Sequence, residues 1–332
     1  MKTITKLIYA SVAVISLAVG AVTANATLND LFASVNGNAH NAGGFIYEYN
    51  PGGVQSTFAA ELSRPRGVAF DHFGNLFVAS TTLDPNSGNF TGAILKIAPD
   101  GTQTTFANVN GPSSSFFLSG LNIDSSGNVF VSAQDGNDPN GASTIYKFTP
   151  GGLQSTFAAP APNGAQIFGL TIDGADNLYV AENFDSGDPP QIWKFLPDGT
   201  HSVVATASQS AFGLIDVAID RFGNFFVSTL ATPNGGQDLV LKYTPDGIES
   251  TFATGLTDPR GVAFDRGGDL FVAEIRQDGP GDILKFTPNG VGTVFASGIG
   301  SGANGGPEFL AFQLLPTPRP RPTPHPRPAL PF

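Results

Sequence analysis

The chain has 332 residues, 41 of them Gly, 26 Pro and 28 Phe, with only 13% charged residues and no Cys. That excludes disulfide and thiolate chemistry and points away from a helical protein, toward short strands joined by tight turns around a large core. Setting aside Lys2 and Lys6 at the start and Arg319, Arg321 and Arg327 at the end leaves 11 basic residues against 27 acidic ones, a net of −16. A body this acidic repels nucleic acid and anionic lipid and suits divalent cations or cationic partners.

At the N-terminus, Lys2 and Lys6 precede an uncharged apolar stretch from Leu7 to Val22, and Ala24-Asn25-Ala26 follows as a small-x-small cleavage site. Residues 1–26 therefore read as a secretory signal, which places the mature chain outside the cytoplasm, secreted or periplasmic, with no membrane span after cleavage.

From there the chain repeats. An apolar run ending in Asp is followed by two residues, Gly, then Asn or Asp, and a second apolar run. Gly67-Val-Ala-Phe-Asp71 leads to Gly74-Asn-Leu-Phe-Val78, and Asp124, Asp173, Asp220 and Asp265 mark further copies at spacings of 53, 49, 47 and 45 residues. A third run, such as Ile94-Leu-Lys-Ile97 or Ile145-Tyr-Lys-Phe148, ends at a Pro-Asp-Gly-type turn, and a Thr/Phe run such as Thr104-Thr-Phe106 closes the unit. Asp caps the first turn with its side chain, and Gly or Asn accepts positive φ there. Four short strands per unit predict the blade of a β-propeller, an all-β fold.

Five units are complete. Ile46-Tyr-Glu-Tyr49 is a sixth third-strand copy, Asp30-Leu-Phe-Ala-Ser34 aligns with a second strand, and Glu308-Phe-Leu-Ala-Phe-Gln313 aligns with a first strand. One C-terminal and three N-terminal strands are therefore predicted to complete a sixth blade within residues 27–315, so that no sheet edge stays open. Residues 316–332 alternate Pro with Thr, Arg and His and read as an extended polyproline spacer, which leaves surface association open.

The repeats G-V-A-F-D-x-x-G-N-L-F-V-A and I-L-K-F-T-P-D-G resemble those of NHL-repeat proteins and of SMP-30/gluconolactonase-like propellers. That resemblance implies a six-bladed propeller. It is poor in functional detail, because such folds carry lyases, lactonases, receptors and scaffolds.

In this topology, loops entering the first strand and leaving the second share one face around the central channel. First-strand starts are Arg66, Ser119, Phe168, Ile215 with Asp216, Arg260 and Glu308; second-strand ends are Ser80, Ala133, Glu182, Thr229, Glu274 and Val35. Arg66, Glu182, Asp216, Arg260, Glu274 and Glu308 are thus the candidate ligand-binding residues. They make either a polar-ligand or divalent-cation site, calcium being the expected ion, or a set of ion pairs lining a wet channel. The repeated Asp71, Asp124, Asp173, Asp220 and Asp265 read as turn caps on the opposite face, and Lys96, Lys147, Lys194, Lys242 and Lys285 as solvated outer-strand residues. Asp135-Gly-Asn-Asp138 and Asp185-Ser-Gly-Asp188 read as plain turns.

No His lies at the predicted rim, and no Gly-x-Ser-x-Gly, phosphate loop or zinc-spaced His cluster occurs. No catalytic set is therefore assigned. The reading favoured is a monomeric, non-enzymatic binding or scaffold module for an unidentified small molecule or protein. The alternative is a metal-dependent lactonase or esterase at the channel mouth. The family resemblance then implies a Glu such as Glu308 or Glu182 as ligand, with Asn122 the one candidate Asn on a first strand.

Overall fold

A computed structural model describes residues 29–36, 43–138, 142–158, 165–183, 189–208, 212–231, 238–276, 279–300 and 305–313. The stretch read as a secretory signal and the Pro-rich tail lie outside these residues, as does Asp185-Ser-Gly-Asp188. Three strands come first: β1 (Leu31–Val35), β2 (Gly44–Tyr49) and β3 (Gln55–Leu62). The first blade is β4 (Pro65–Phe70), β5 (Leu76–Leu83), β6 (Phe90–Ile97) and β7 (Gln103–Val109). The second is β8 (Phe116–Ile123), β9 (Val129–Asp135), β10 (Ser143–Phe148) and β11 (Gln154–Ala158). The third is β12 (Gln166–Ile172), β13 (Leu178–Asn183), β14 (Gln191–Phe195) and β15 (His201–Thr206). The fourth is β16 (Phe212–Ile219), β17 (Phe225–Ala231), β18 (Leu239–Tyr243) and β19 (Glu249–Ala253). The fifth is β20 (Pro259–Phe264), β21 (Leu270–Arg276), β22 (Gly279–Phe286) and β23 (Gly292–Ile299).

The last strand, β24 (Pro307–Phe312), joins β1, β2 and β3 in the order β24-β1-β2-β3, so the sixth blade is built from both ends of the chain. Phe32 stands opposite Ala311 across this seam, and the Gln313 N–H donates to Asp30 O. All six sheets are antiparallel and four-stranded.

The turns behave as their chemistry dictates. Asp71 Oδ1 accepts the N–H groups of Phe73 and Asn75 at 2.8 and 2.9 Å, and Oδ2 accepts Asn75 Nδ2 at 2.7 Å. Asp124, Asp173 and Asp220 repeat this pattern. Gly74 sits at φ +81°, the left-handed region the turn requires, and the same place is taken in the third blade by Asp176 at φ +61°.

Between blades the core is aromatic. A second-strand Phe meets an outer-strand Phe edge-to-face in five blades, as in Phe77–Phe106 at 5.0 Å and Phe226–Phe252 at 4.9 Å. The repeated lysines are not freely solvated as the sequence suggests. Each stands across the strand from an aromatic residue, and its ammonium lies 5.2–5.6 Å from that ring's centroid, over Phe77, Phe130, Tyr179, Phe226 and Phe271. The register explains it: Lys96 pairs with Phe77 and Lys285 with Phe271, so each Lys stem lies on the ring's face.

Candidate functional site

Every innermost strand breaks its register at the same level. The shift falls at Pro65/Val68, Leu118/Leu121, Ile167/Leu170, Leu214/Asp216 and Pro259/Val262, and for β24 on its partner at Ala33/Val35. Bulges of this kind re-aim side chains and free backbone groups, here around the channel. Just below this level the strands approach closely. A Cβ on Gly120 would sit 2.7 Å from Phe168 O, and one on Gly261 2.6 Å from Phe309 Cα. Glycine fills the position in four blades (Gly67, Gly120, Gly169, Gly261), Phe309 in the sixth and Asp216 in the fourth.

Asp216 thus places a carboxylate where the repeat asks for no side chain. The space comes from Gly169 on one side, where a Cβ would collide with the Asp216 carboxylate. On the other side Asp216 Oδ2 accepts the edge N–H of Val262 at 3.0 Å, and Oδ1 accepts the N–H of Val217 at 2.9 Å. Ser228 Oγ accepts the Asp216 N–H at 3.2 Å and donates to Arg260 O at 2.5 Å. Asp216 is buried, and loss of hydration pushes its carboxyl up to about 7 against the opposing pull of the two N–H donors. It borders a channel cavity of about 370 Å³ walled by Leu121, Leu170 and Val262, with Asn122 and Thr171 on its sides and His72 toward the face of the turn caps.

One residue earlier on the same strands is a charged tier. Arg66 Nη2 lies 3.6 Å from Glu308 Oε2, and Glu308 Oε1 accepts Asn36 Nδ2 at 2.8 Å. Burial lowers the Arg66 guanidinium's pKa, Glu308 opposes that, and Arg260 and Arg64 add to it. Arg260 grips Asp258 through Nε at 2.8 Å and Nη2 at 3.0 Å. Burial pushes the Asp258 carboxyl up, and Arg260 pulls it back. Asp258 (φ +44°) precedes Pro259 as Arg64 (φ +39°) precedes Pro65, so the two connections share a shape with opposite charges at the tip.

The six sequence-nominated residues are therefore not one rim. Arg66, Arg260 and Glu308 form the charged tier, and Asp216 lies directly beneath it. Glu274 faces the junction of the fourth and fifth blades, where its Oε1 accepts the Thr257 N–H at 2.8 Å. Burial raises its pKa, the Thr257 N–H opposing. It adjoins a cleft of about 1020 Å³ lined by Asp238, Thr257, Asp258, Arg276 and Asp282, of which the sequence reading named none. Arg276 is paired with Asp282 there, and Asp238 Oδ2 accepts the Asp258 N–H at 2.8 Å. Glu182 belongs to the third blade, opposite Ile167 and Gln191, with a carboxyl that burial pushes up to about 7. Two signals could have pointed here: Asp216 stands at the repeat's Gly, and Thr257-Asp-Pro-Arg260 parallels Ser63-Arg-Pro-Arg66.

A resident divalent cation does not fit this arrangement. Among the described residues no three His, Asp or Glu side chains converge to hold one. Both Asp216 oxygens already accept backbone N–H groups, and Glu308 is divided between Asn36 and Arg66.

The six blades and the bulged, closed inner ring define a six-bladed β-propeller with the fold of the SMP-30/gluconolactonase-like proteins. Among solved structures, a protein from Lactobacillus plantarum superposes with a TM-score of 0.54 at 13% identity, over 87% of this chain and 100% of that one. A gluconolactonase from Xanthomonas campestris gives 0.54 at 13% identity, over 85% and 89%. Regucalcin, a calcium-binding protein from Agrobacterium tumefaciens, gives 0.50 at 13% identity, over 71% and 75%. The sequence itself matches no protein-family model and no curated protein. These neighbours correct the expectation of a non-enzymatic binding or scaffold module: an enzyme is built on this same propeller, and the fold gives no ground for reading the chain as inert.

Proposed function

We propose that the chain is an exported, monomeric hydrolase of small lactones or esters, with Asp216 and the charged tier above it as its working groups. The observation that supports this most is Asp216 itself: a buried carboxylate at the one blade position that departs from glycine with a charge, beside a cavity and titrating near neutrality. A carboxylate of that kind suits general-base work at neutral pH. In the reaction, Asp216 takes a proton from water as the water oxygen bonds to the acyl carbon. The guanidiniums of Arg66 and Arg260 stabilise the charge on the carbonyl oxygen. The carbon–alkoxy oxygen bond then breaks, the proton returns from Asp216 to the departing oxygen, and a carboxylic acid and an alcohol result, joined in one molecule when the substrate is a lactone.

The SMP-30/gluconolactonase-like resemblance implies a divalent cation. The described residues do not fit one, so no step is assigned to it. The acidic body fits a small-molecule substrate and argues against a nucleic-acid partner.

The test is turnover of a panel of γ-lactones, δ-lactones and aryl esters by the purified protein, with and without chelator. Asp216→Asn should lower kcat by roughly 100-fold or more, the usual contribution of a positioned base. Arg260→Gln should lower it too, and the wild-type rate should survive chelation. No turnover across the panel, or an Asp216→Asn enzyme as active as wild type, overturns the proposal.

A further inference from the structure

A second cavity, independent of the hydrolase reading, opens on the opposite face between the fourth and fifth blades. Its volume is about 420 Å³, within the range of small-ligand pockets. The walls are Ile219, Phe222, Phe226, Phe252, Phe264 and Pro288. Three of these are arranged as an aromatic corner: the Phe226 ring meets Phe252 at 4.9 Å and 86°, and Phe264 at 5.0 Å and 83°. Phe222 stands at the lip with 68% of its surface exposed, an uncommon position for a Phe that packs against nothing outside.

Three cations border the same pocket: Arg221, Lys242 and Arg266. Only 11 basic residues are spread over the whole acidic body, so three around one cavity is a local reversal of the chain's charge. Two acids also line it, and their oxygens are engaged. Asp220 accepts the N–H groups of Phe222 and Asn224 and the Asn224 amide, while Asp265 accepts the Asp269 N–H and lies 3.9 Å from Lys285. Lys96 and Lys285 pair with the carboxylates of their own blades, whereas Lys242 makes no ion pair among the described residues and rests on the Phe226 ring at 5.3 Å. The Arg221 guanidinium lies 4.8 Å from the Phe222 ring centroid, so charge and aromatic lip are one unit.

We propose that this cavity binds an aromatic carboxylate, its ring in the phenylalanine corner and its anionic group at the Arg221–Lys242 edge. Edge-to-face walls suit a flat ring, and a guanidinium beside an apolar hollow suits a carboxylate attached to it. The face is formed by the turns of the repeat, away from the charged tier, so binding here is separate from turnover there.

The experiment is calorimetric titration of the full chain with 2-naphthoate at low salt. Expected are saturable 1:1 binding, at least about fivefold loss in Arg221→Gln and in Phe222→Ala, and a similar loss for the neutral 2-naphthamide. Phe73→Ala, which removes an even more exposed ring from the first blade's turn, should bind like wild type, as should the Asp216→Asn protein. No saturable binding at millimolar 2-naphthoate, equal binding of the amide, or wild-type affinity in both pocket variants overturns the proposal. So does a Phe73→Ala protein weakened as much as Phe222→Ala.

Discussion

Replacing Phe32 with alanine tests the closure of the ring at its seam. Phe32 is fully buried on β1, the N-terminal strand that bonds to C-terminal β24, and its ring meets Phe58 at 5.0 Å and Phe70 at 4.8 Å, both edge-on. It joins Ile46, Leu62, Leu76, Val78 and Phe309 in one cluster that spans the sixth and first blades. A buried Phe→Ala change costs about 3–5 kcal/mol, and losing two edge-to-face pairs places this one near the upper end. Measured against a typical domain stability of about 5–15 kcal/mol, that is a large fraction. The melting temperature should fall by roughly 10 °C, taking about 2–4 °C per kcal/mol for a protein of this order of size. The assay is urea unfolding, reading the midpoint at unchanged slope, with Phe73→Ala as control because Phe73 is 84% exposed. The control should stay within about 0.5 kcal/mol of wild type. A Phe32→Ala midpoint indistinguishable from that control would mean β1 is not packed in the seam, and the closed sixth blade would be wrong.

Two further outcomes follow from the inner ring. The folded protein holds the Asp216 proton up to about pH 7, whereas the unfolded chain releases it near the ordinary Asp value. Stability should therefore fall as pH rises between those two values and level off above about 7, by an amount on the order of a few kcal/mol. Glu182 contributes in the same direction. Asp216→Asn and Glu182→Gln should each flatten the slope of urea midpoint between pH 5 and 8, and an unchanged slope in both counts against the burial argument. Because a base must be ionised, turnover should rise through the same window, and a rate that falls with pH there contradicts the assignment of Asp216. Gly261→Ala places a Cβ 2.6 Å from Phe309 Cα and 2.8 Å from Glu308 O, and should cost about 1–3 kcal/mol in the same unfolding assay.

The fold was legible because its determinants are local. Asp71-x-x-Gly74-Asn75 is a complete turn within five residues, and both the capping bonds and the positive φ come from those residues alone. The seam was legible for the same reason, since Asp30-Leu-Phe-Ala-Ser34 and Glu308-Phe-Leu-Ala-Phe-Gln313 are copies of strands present elsewhere. The site was legible only in part. Repeat position puts Arg66, Arg260 and Glu308 on one tier, but it says nothing of the loop residues that a second-strand end meets. Glu182 and Glu274 occupy the same repeat position, yet Glu274 accepts the Thr257 N–H from the connection before its blade, whereas Glu182 meets Trp193 of its own blade. Asp238, Asp258 and Asp282 come from a loop, a connection and a third strand, and only the stacking of the blades brings them to one cleft.

In a chain built from one repeated unit, residues that obey the repeat hold the fold, so chemistry belongs where the repeat is broken and the new side chain is left facing space. Two breaks replace glycine with aspartate, and they separate cleanly on that criterion. Asp176 takes left-handed backbone at a cost of about 1–2 kcal/mol. In return it accepts the Ser125 N–H at 2.8 Å and the Ser125 hydroxyl at 2.5 Å, so its carboxylate ties the third blade to the second, and it does not line the channel cavity. Asp216 also ties two blades, through the Val262 N–H, but it borders the channel cavity, stays buried, and titrates near neutrality. Exchanging the two to the repeat residue should therefore give opposite patterns. Asp176→Gly should move unfolding and leave turnover alone, whereas Asp216→Gly should abolish turnover, because it removes the base at a position where four other blades already carry glycine.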